Sequence, residues 1–202
     1  MVKSLNPALV WFRYDLRLQD NPALEAALSS ERPIIPVYIW SPEEESPWEP
    51  QGAQKWWLHR ALESLQDNLQ KRGLDLIFRQ GSAGEELHSL VKASGAEVVY
   101  WNRRYEPALV ERDTQIKTSL QEADVEVESF NGSLLFEPWK VSTGSGNPYK
   151  VYTPFWRNVK DRSVLRPEEL DLSKFQDRDP ENWPSGLTLG EQKLLPEVRW
   201  YE

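Results

Sequence analysis

The sequence predicts an α/β fold, an open parallel sheet of five strands with helices on both faces, and three observations carry that prediction. Short apolar, β-branched runs recur at Leu9–Phe12, Ile34–Ile39, Leu74–Phe78, Val98–Trp101 and Val125–Val127. Stretches of helical period separate them, at Pro22–Ser29, Gly52–Lys71, Ala83–Ala93 and Pro107–Ala123. After Phe130 the rhythm stops, and the chain becomes rich in Pro, Gly, Ser and scattered Trp. Regular strand–helix alternation needs crossover connections, and these join parallel strands. The arrangement expected is therefore Rossmann-like. Residues 1–130 are read as the domain core and residues 131–202 as an irregular C-terminal connecting segment, with one further helix starting near Thr153-Pro154.

Each element has its own justification. Ala8 to Phe12 is a continuous apolar run suited to a strand covered on both faces. Asn21-Pro22 supplies an N-cap and then the residue whose fixed φ suits the first helical turn. Between them, Arg13, Asp15 and Arg17 are expected to pair with one another and with backbone donors of the following helix, holding that turn in one shape. Leu58, Leu62, Leu65 and Leu69 form one stripe of the second helix and are read as core. Ser82 and Glu85 have the spacing of a capping box, and Gly73 and Gly95 stand where C-terminal caps would.

Composition excludes several kinds of chemistry. The 202 residues carry a formal charge of −8, which argues against this piece holding nucleic acid by itself. There is no cysteine, so disulfides, thiolate metal sites and thiol nucleophiles are out. The two histidines, His59 and His88, fall on different helices and are read as structural. No catalytic constellation and no metal site is expected. No apolar run approaches the roughly 20 residues of a membrane span, and Met1–Pro7 lacks a signal peptide's apolar core, so a cytoplasmic protein is expected.

Ligands of open α/β sheets bind outside the carboxyl ends of the strands. Three loops converge there: Arg13–Asp20, Trp40–Gly52 and Asn102–Pro107. The second sets Glu43 and Glu45 beside Trp40 and Trp48, either to grip a planar heterocycle or as a solvated acidic loop. In the third, Asn102 and Glu106 offer donors and acceptors, Arg103 a cation and Tyr105 a ring; a network that merely closes the loop is the alternative. Gly144-Ser-Gly146 is read as a turn, since no strand precedes it and no Gly-Lys-Ser/Thr follows.

Three motifs in order, Trp11-Phe-Arg-Tyr-Asp-Leu-Arg17 continuing to Asp20-Asn-Pro-Ala-Leu24, Trp101-Asn-Arg-Arg-Tyr-Glu-Pro107 with Arg112-Asp113, and Gly146-Asn-Pro-Tyr-Lys-Val-Tyr-Thr-Pro-Phe-Trp156, resemble the DNA photolyase and cryptochrome family. The Arg103-Arg104 pair, Pro47-Trp-Glu-Pro-Gln-Gly-Ala53 and Trp56-Trp57-Leu58 look closest to bacterial photolyases related to plant cryptochromes. The resemblance implies an N-terminal antenna domain that harvests light with a folate, 5,10-methenyltetrahydrofolate, near Trp40, Glu43, Glu45, Trp48, Asn102, Arg103, Tyr105 and Glu106. It implies a separate helical domain holding FAD, for light-driven repair of cyclobutane pyrimidine dimers or for blue-light sensing. Damaged DNA would be met only through that domain, which would dock in cis or in trans on Tyr152, Phe155 and Trp156. Two departures stand out. Ala108 and Leu109 replace an Asn-Glu pair that binds folate in one branch, and Arg104 replaces an acid typical of deazaflavin users. A Rossmann-like nucleotide-binding module and a partner-docking module are the alternatives.

Overall fold

The computed structural model describes residues 5–164, 169–175 and 183–196. Five parallel strands, β1 (Ala8–Phe12), β2 (Ile34–Trp40), β3 (Ile77–Gln80), β4 (Val98–Asn102) and β5 (Glu126–Phe130), lie in the order β3-β2-β1-β4-β5. The crossovers are helices α1 (Pro22–Ser29), α2 (Gly52–Gln70), α3 (Ala83–Ser94) and α4 (Pro107–Glu122). The strand order reverses beside β1, whose neighbours are β2 and β4.

Alternation along the strands divides the interior in two. Val10, Phe12, Tyr38, Trp40, Phe78 and Tyr100 pack with α1 and the leucine stripe of α2. Leu9, Trp11, Val37, Ile39, Val99 and Trp101 pack with Leu87 and Leu90 of α3 and Ile116 and Leu120 of α4. Both faces of the central strands are therefore dry, which explains why their sequence reads as unbroken apolar runs.

Two strands differ from the sequence expectation. The third begins at Ile77, because Leu74 and Leu76 are drawn into the α2-side core before pairing starts. Its last residues, Arg79 and Gln80, instead pair with Ile39 and Trp40. The fifth runs to Phe130, with Glu126 and Glu128 exposed between inward residues. An edge strand that faces water at every second position leaves only a short apolar signal.

The caps follow local chemistry. The Asn21 side chain accepts from the Leu24 amide at 3.2 Å, and Pro22 opens α1. Gly95 ends α3 in the left-handed region at φ +69°, where glycine has no steric penalty. The capping box expected at Ser82 does not form. The Ala83 amide donates instead to Glu44 Oε1 at 2.9 Å, so a carboxylate from another loop takes the role of the serine.

Described parts of the connecting segment return to the sheet. Phe175 and Leu194 are buried in the α2-side core, and the Leu187 amide donates to the Phe78 carbonyl at 2.9 Å in an antiparallel bridge that covers the β3 edge. Helix α5 (Tyr152–Val159) forms where a further helix was expected. It buries Val159 and leaves Tyr152 and Trp156 stacked on one another in solvent, with centroids 6.3 Å apart. Residues such as Trp200 to Glu202 lie outside the described residues. Among those described, no helix is long and apolar enough to cross a membrane, and no His, Cys, Asp and Glu cluster suits a metal.

The edge cover depends on a close approach. A Cβ on Gly186 would lie 3.0 Å from Ile77 Cγ2 and 3.2 Å from the Phe78 backbone. Gly186→Ala is expected to cost about 1–2 kcal/mol, the usual scale for overpacking, and a lower urea midpoint at unchanged m-value checks it.

Candidate functional site

The loops that follow β1 and β4 part at the point of strand reversal and open a crevice at the carboxyl edge of the sheet. Asn102, the last residue of β4, fixes its floor. Its amide nitrogen donates to Asp15 Oδ2 at 2.6 Å and to Asn21 Oδ1 at 2.7 Å, while its side-chain oxygen accepts from the Ala23 amide at 3.1 Å. Arg13, just past β1 and buried, binds the Asn102 carbonyl and Asp113 of α4. Burial pushes the Arg13 guanidinium below its ordinary value, and Asp113 opposes that shift. The charged turn is held in one shape, as expected, but not by ion pairs among Arg13, Asp15 and Arg17: Arg13 pairs with a helix distant in sequence, Arg17 with Asp20, and the Asp15 carboxylate accepts from the Arg13 amide and the Asn102 side chain. Arg17 donates to the carbonyls of Asp20 and Gly132, at 2.7 and 2.8 Å.

Above this floor is a cleft of about 480 Å³, bounded by Arg13, Tyr14, Asp15 and Arg17, by residues 102–106 and by residues 132–134. Arg103 pairs with Glu137 at 2.6 Å and reaches the Ser129 carbonyl. The Tyr105 hydroxyl lies 3.0 Å from the same Glu137 oxygen. Burial disfavours ionised Glu137, but hydrogen bonds from Arg103 and Tyr105 outweigh it and keep its carboxyl below the usual value. Arg104 pairs with Glu106 at 2.7 Å and with Glu45 at 3.6 Å. Its hydrogen bond, opposed by partial burial, draws the Glu106 carboxyl from the usual 4.5 to about 2.

A second, more apolar cleft of about 770 Å³ adjoins the first, walled by Leu16, Pro50, Ala53, Trp57 and Leu58. Tyr14 and Arg17 line both.

The structure brings Asn102, Arg103, Tyr105 and Glu106 together around the first cleft, and Glu45 joins them through Tyr14 and Arg104. It places the other three elsewhere. Trp40 is packed in the α2-side core, and Glu43 is exposed on the short 3₁₀ turn Pro42–Glu45. Trp48 is 85 % exposed and lines neither cleft. Tyr14, Arg17, Arg104 and Trp57 are cleft residues that the sequence reading did not select. The usable signal for Trp57 was its position beside, and not on, the leucine stripe of α2, which leaves it 70 % exposed. His59 is buried in α2 and His88 meets Ser119 at 2.9 Å; neither lines these clefts. Thr143–Asn147 closes a turn, with the Thr143 amide 2.8 Å from the Asn147 carbonyl.

Because the Glu106 carboxyl is depressed in the fold, its clamp contributes stability above about pH 4.5 and loses it as pH falls toward 2. Glu106→Gln is expected to flatten the pH dependence of the unfolding free energy in that window while leaving its slope above pH 5 unchanged. Urea titrations at stepped pH measure both.

The DNA photolyase family model matches residues 8–173. A deoxyribodipyrimidine photo-lyase of Agrobacterium fabrum is 43% identical over 195 residues, covering 94% of this chain and 39% of that protein. Cryptochrome-2 of Arabidopsis thaliana is 37% identical, over 81% of this chain and 27% of its own length. Among solved structures, a bacterial class III photolyase from Agrobacterium tumefaciens superposes with a TM-score of 0.87 at 42% identity, covering 97% of this chain and 40% of that one. An archaeal photolyase from Sulfolobus tokodaii, solved with two FAD molecules, matches at a TM-score of 0.67 and 25% identity, over 81% of this chain and 37% of its own. The chain spans about 40% of the length of the first of these relatives. With its five-stranded sheet, its switch-point crevice and these matches, the chain belongs to the DNA photolyase family and corresponds to the N-terminal α/β domain of its photolyases and cryptochromes.

Proposed function

We propose that this chain is the light-harvesting domain of a photolyase- or cryptochrome-like protein and that its antenna is 5,10-methenyltetrahydrofolate. The observation that carries the reading is the two-part groove, an apolar cleft containing Trp57 that adjoins a cleft lined by arginines. A folate has the same division, a planar pterin at one end and carboxylates at the other. The residues present fit both ends. Leu16, Pro50 and Trp57 offer apolar surface to a ring. Arg17, Arg103 and Arg104 offer planar donors to carboxylates, and Glu45 and Glu106 hold Arg104 at that end. Tyr105 and Asn102 shape the polar end. Trp57 takes the stacking role expected of Trp40 or Trp48, since Trp40 is packed in the core and Trp48, though exposed, lines neither cleft. When bound, the folate supplies near-ultraviolet absorption and passes its excitation on.

In the whole protein the acceptor is FAD in a helical domain, serving repair of cyclobutane pyrimidine dimers or blue-light sensing. Damaged DNA is met through that domain. The aromatics of α5 are its docking surface: Tyr152 and Trp156 are exposed and Phe155 is half-buried beneath them, and the three line or border a cleft of about 620 Å³ with Leu135 and Phe136.

Two experiments test this. The purified chain, incubated with methenyltetrahydrofolate and stripped of free ligand, is expected to keep a pterin absorption band. Trp57→Ala is expected to lower the affinity about tenfold, the value of one stacked aromatic contact with its buried area. Absence of the band in the wild-type chain refutes the antenna reading. Separately, Trp156→Ala is expected to weaken association with the helical domain supplied in trans by tenfold or more, with little change in the chain's own unfolding midpoint. Unchanged association removes α5 as the docking surface.

A further inference from the structure

We infer that Tyr14 decides which chromophores the groove accepts, as a displaceable partition between its apolar and cationic halves; the inference rests on the reading of the groove as a chromophore site. Tyr14 borders both large clefts and a third chamber of about 20 Å³ behind them. Its side chain is tethered through polar groups. The hydroxyl donates to Glu45 Oε2 at 2.6 Å, and the Arg104 guanidinium lies 3.9 Å from the ring centre. Even so, Tyr14 is 53 % exposed, so the core does little to hold it. Arg104 is itself shared between the ring, Glu106 and Glu45.

The small chamber has the polarity of a space made to open. It is large enough for one water molecule. Ser41 and Arg13 line it, and their Oγ and Nε atoms are buried with no hydrogen-bond partner among the described residues. Rotation of the Tyr14 ring away from Glu45 exposes this chamber and joins the two clefts into one groove.

The consequence is selectivity by shape and charge together. A compact planar molecule occupies the apolar cleft with Tyr14 in place and gains nothing from its release. An elongated molecule with a carboxylate tail spans both clefts only after the ring moves, and its tail then replaces the Tyr14 ring and Glu45 as the partner of Arg104. The groove is therefore selective for planar heteroaromatics that carry an anionic tail.

The test uses the 202-residue chain, its Tyr14→Phe and Tyr14→Ala variants, and two probes, methenyltetrahydrofolate and the tailless 6-methylpterin. Phenylalanine keeps the ring and removes the tether. The expected result is about tenfold faster association of the folate with Tyr14→Phe, the scale of one hydrogen bond to a carboxylate, with 6-methylpterin unaffected. Tyr14→Ala is expected to associate at least as fast as Tyr14→Phe. Equal association rates in all three chains overturn the inference and leave the chromophore site standing. Slower binding by Tyr14→Phe makes the hydroxyl a ligand contact and likewise overturns it. No binding by any chain, with native circular dichroism, overturns both the inference and the reading beneath it.

Discussion

The amide of Asn102 joins three stretches of chain at the carboxyl edge of the sheet. It ends the inner strand β4, holds Asp15 of the turn after β1, and closes the start of α1 through Asn21 and the Ala23 amide. Its donors and its acceptor are satisfied at a position 4 % exposed. A buried polar network with every member paired rigidifies its surroundings, whereas loss of one member leaves several desolvated groups unpaired. Gly132 presses on the same side chain so closely that a Cβ would stand 2.6 Å from Asn102 Cγ. The loop Gly132–Leu134, one wall of the cleft, is thus seated directly on the network that sets the floor.

Around this point the chain, though acidic overall, gathers arginines. Each is matched to a carboxylate: Arg13 to Asp113, Arg103 to Glu137, Arg104 to Glu106 and Arg112 to Glu44. The pairs differ in purpose according to burial. Arg13–Asp113 is closed from solvent and fastens α4 to the end of β1, a geometry in which removal of either partner strands a buried charge. Arg104–Glu106 is open on the carboxylate side, with Glu106 56% exposed. A pair open to solvent can exchange partners, even where it contributes to stability. The site therefore has a rigid base and a labile rim.

The sequence made the architecture readable because its signals were local. Strand runs, the leucine stripe of α2 and the Asn21-Pro22 cap all depend on neighbours within one or two turns. Where the structure departs, a distant group decides. Glu44 displaces Ser82 as the cap of α3 because the Trp40–Gly52 loop folds across the helix start. The third strand begins late because α2 claims Leu74 and Leu76. Of the eight candidate site residues, the four at and just after the end of β4 surround one cleft, since a strand end fixes their position. Those on the long acidic loop scatter, because loop chemistry alone does not say which aromatic turns inward. Tyr14 and Trp57 were unselected for the same reason, their role depending on which face each element presents at the crevice.

The tryptophans of this chain also bear on its optics. Trp11 and Trp101 meet edge to face inside the sheet, with centroids 5.6 Å apart, while Trp57 stands in the wall of the apolar cleft. Buried indoles emit toward shorter wavelengths than solvated ones, and their emission overlaps the absorption of a near-ultraviolet pterin. Any such molecule in the groove becomes a resonance acceptor for the protein's own fluorescence. The domain thus carries an internal lamp beside the candidate cleft, and binding of a pterin there would be read as the dimming of that lamp without attaching a dye.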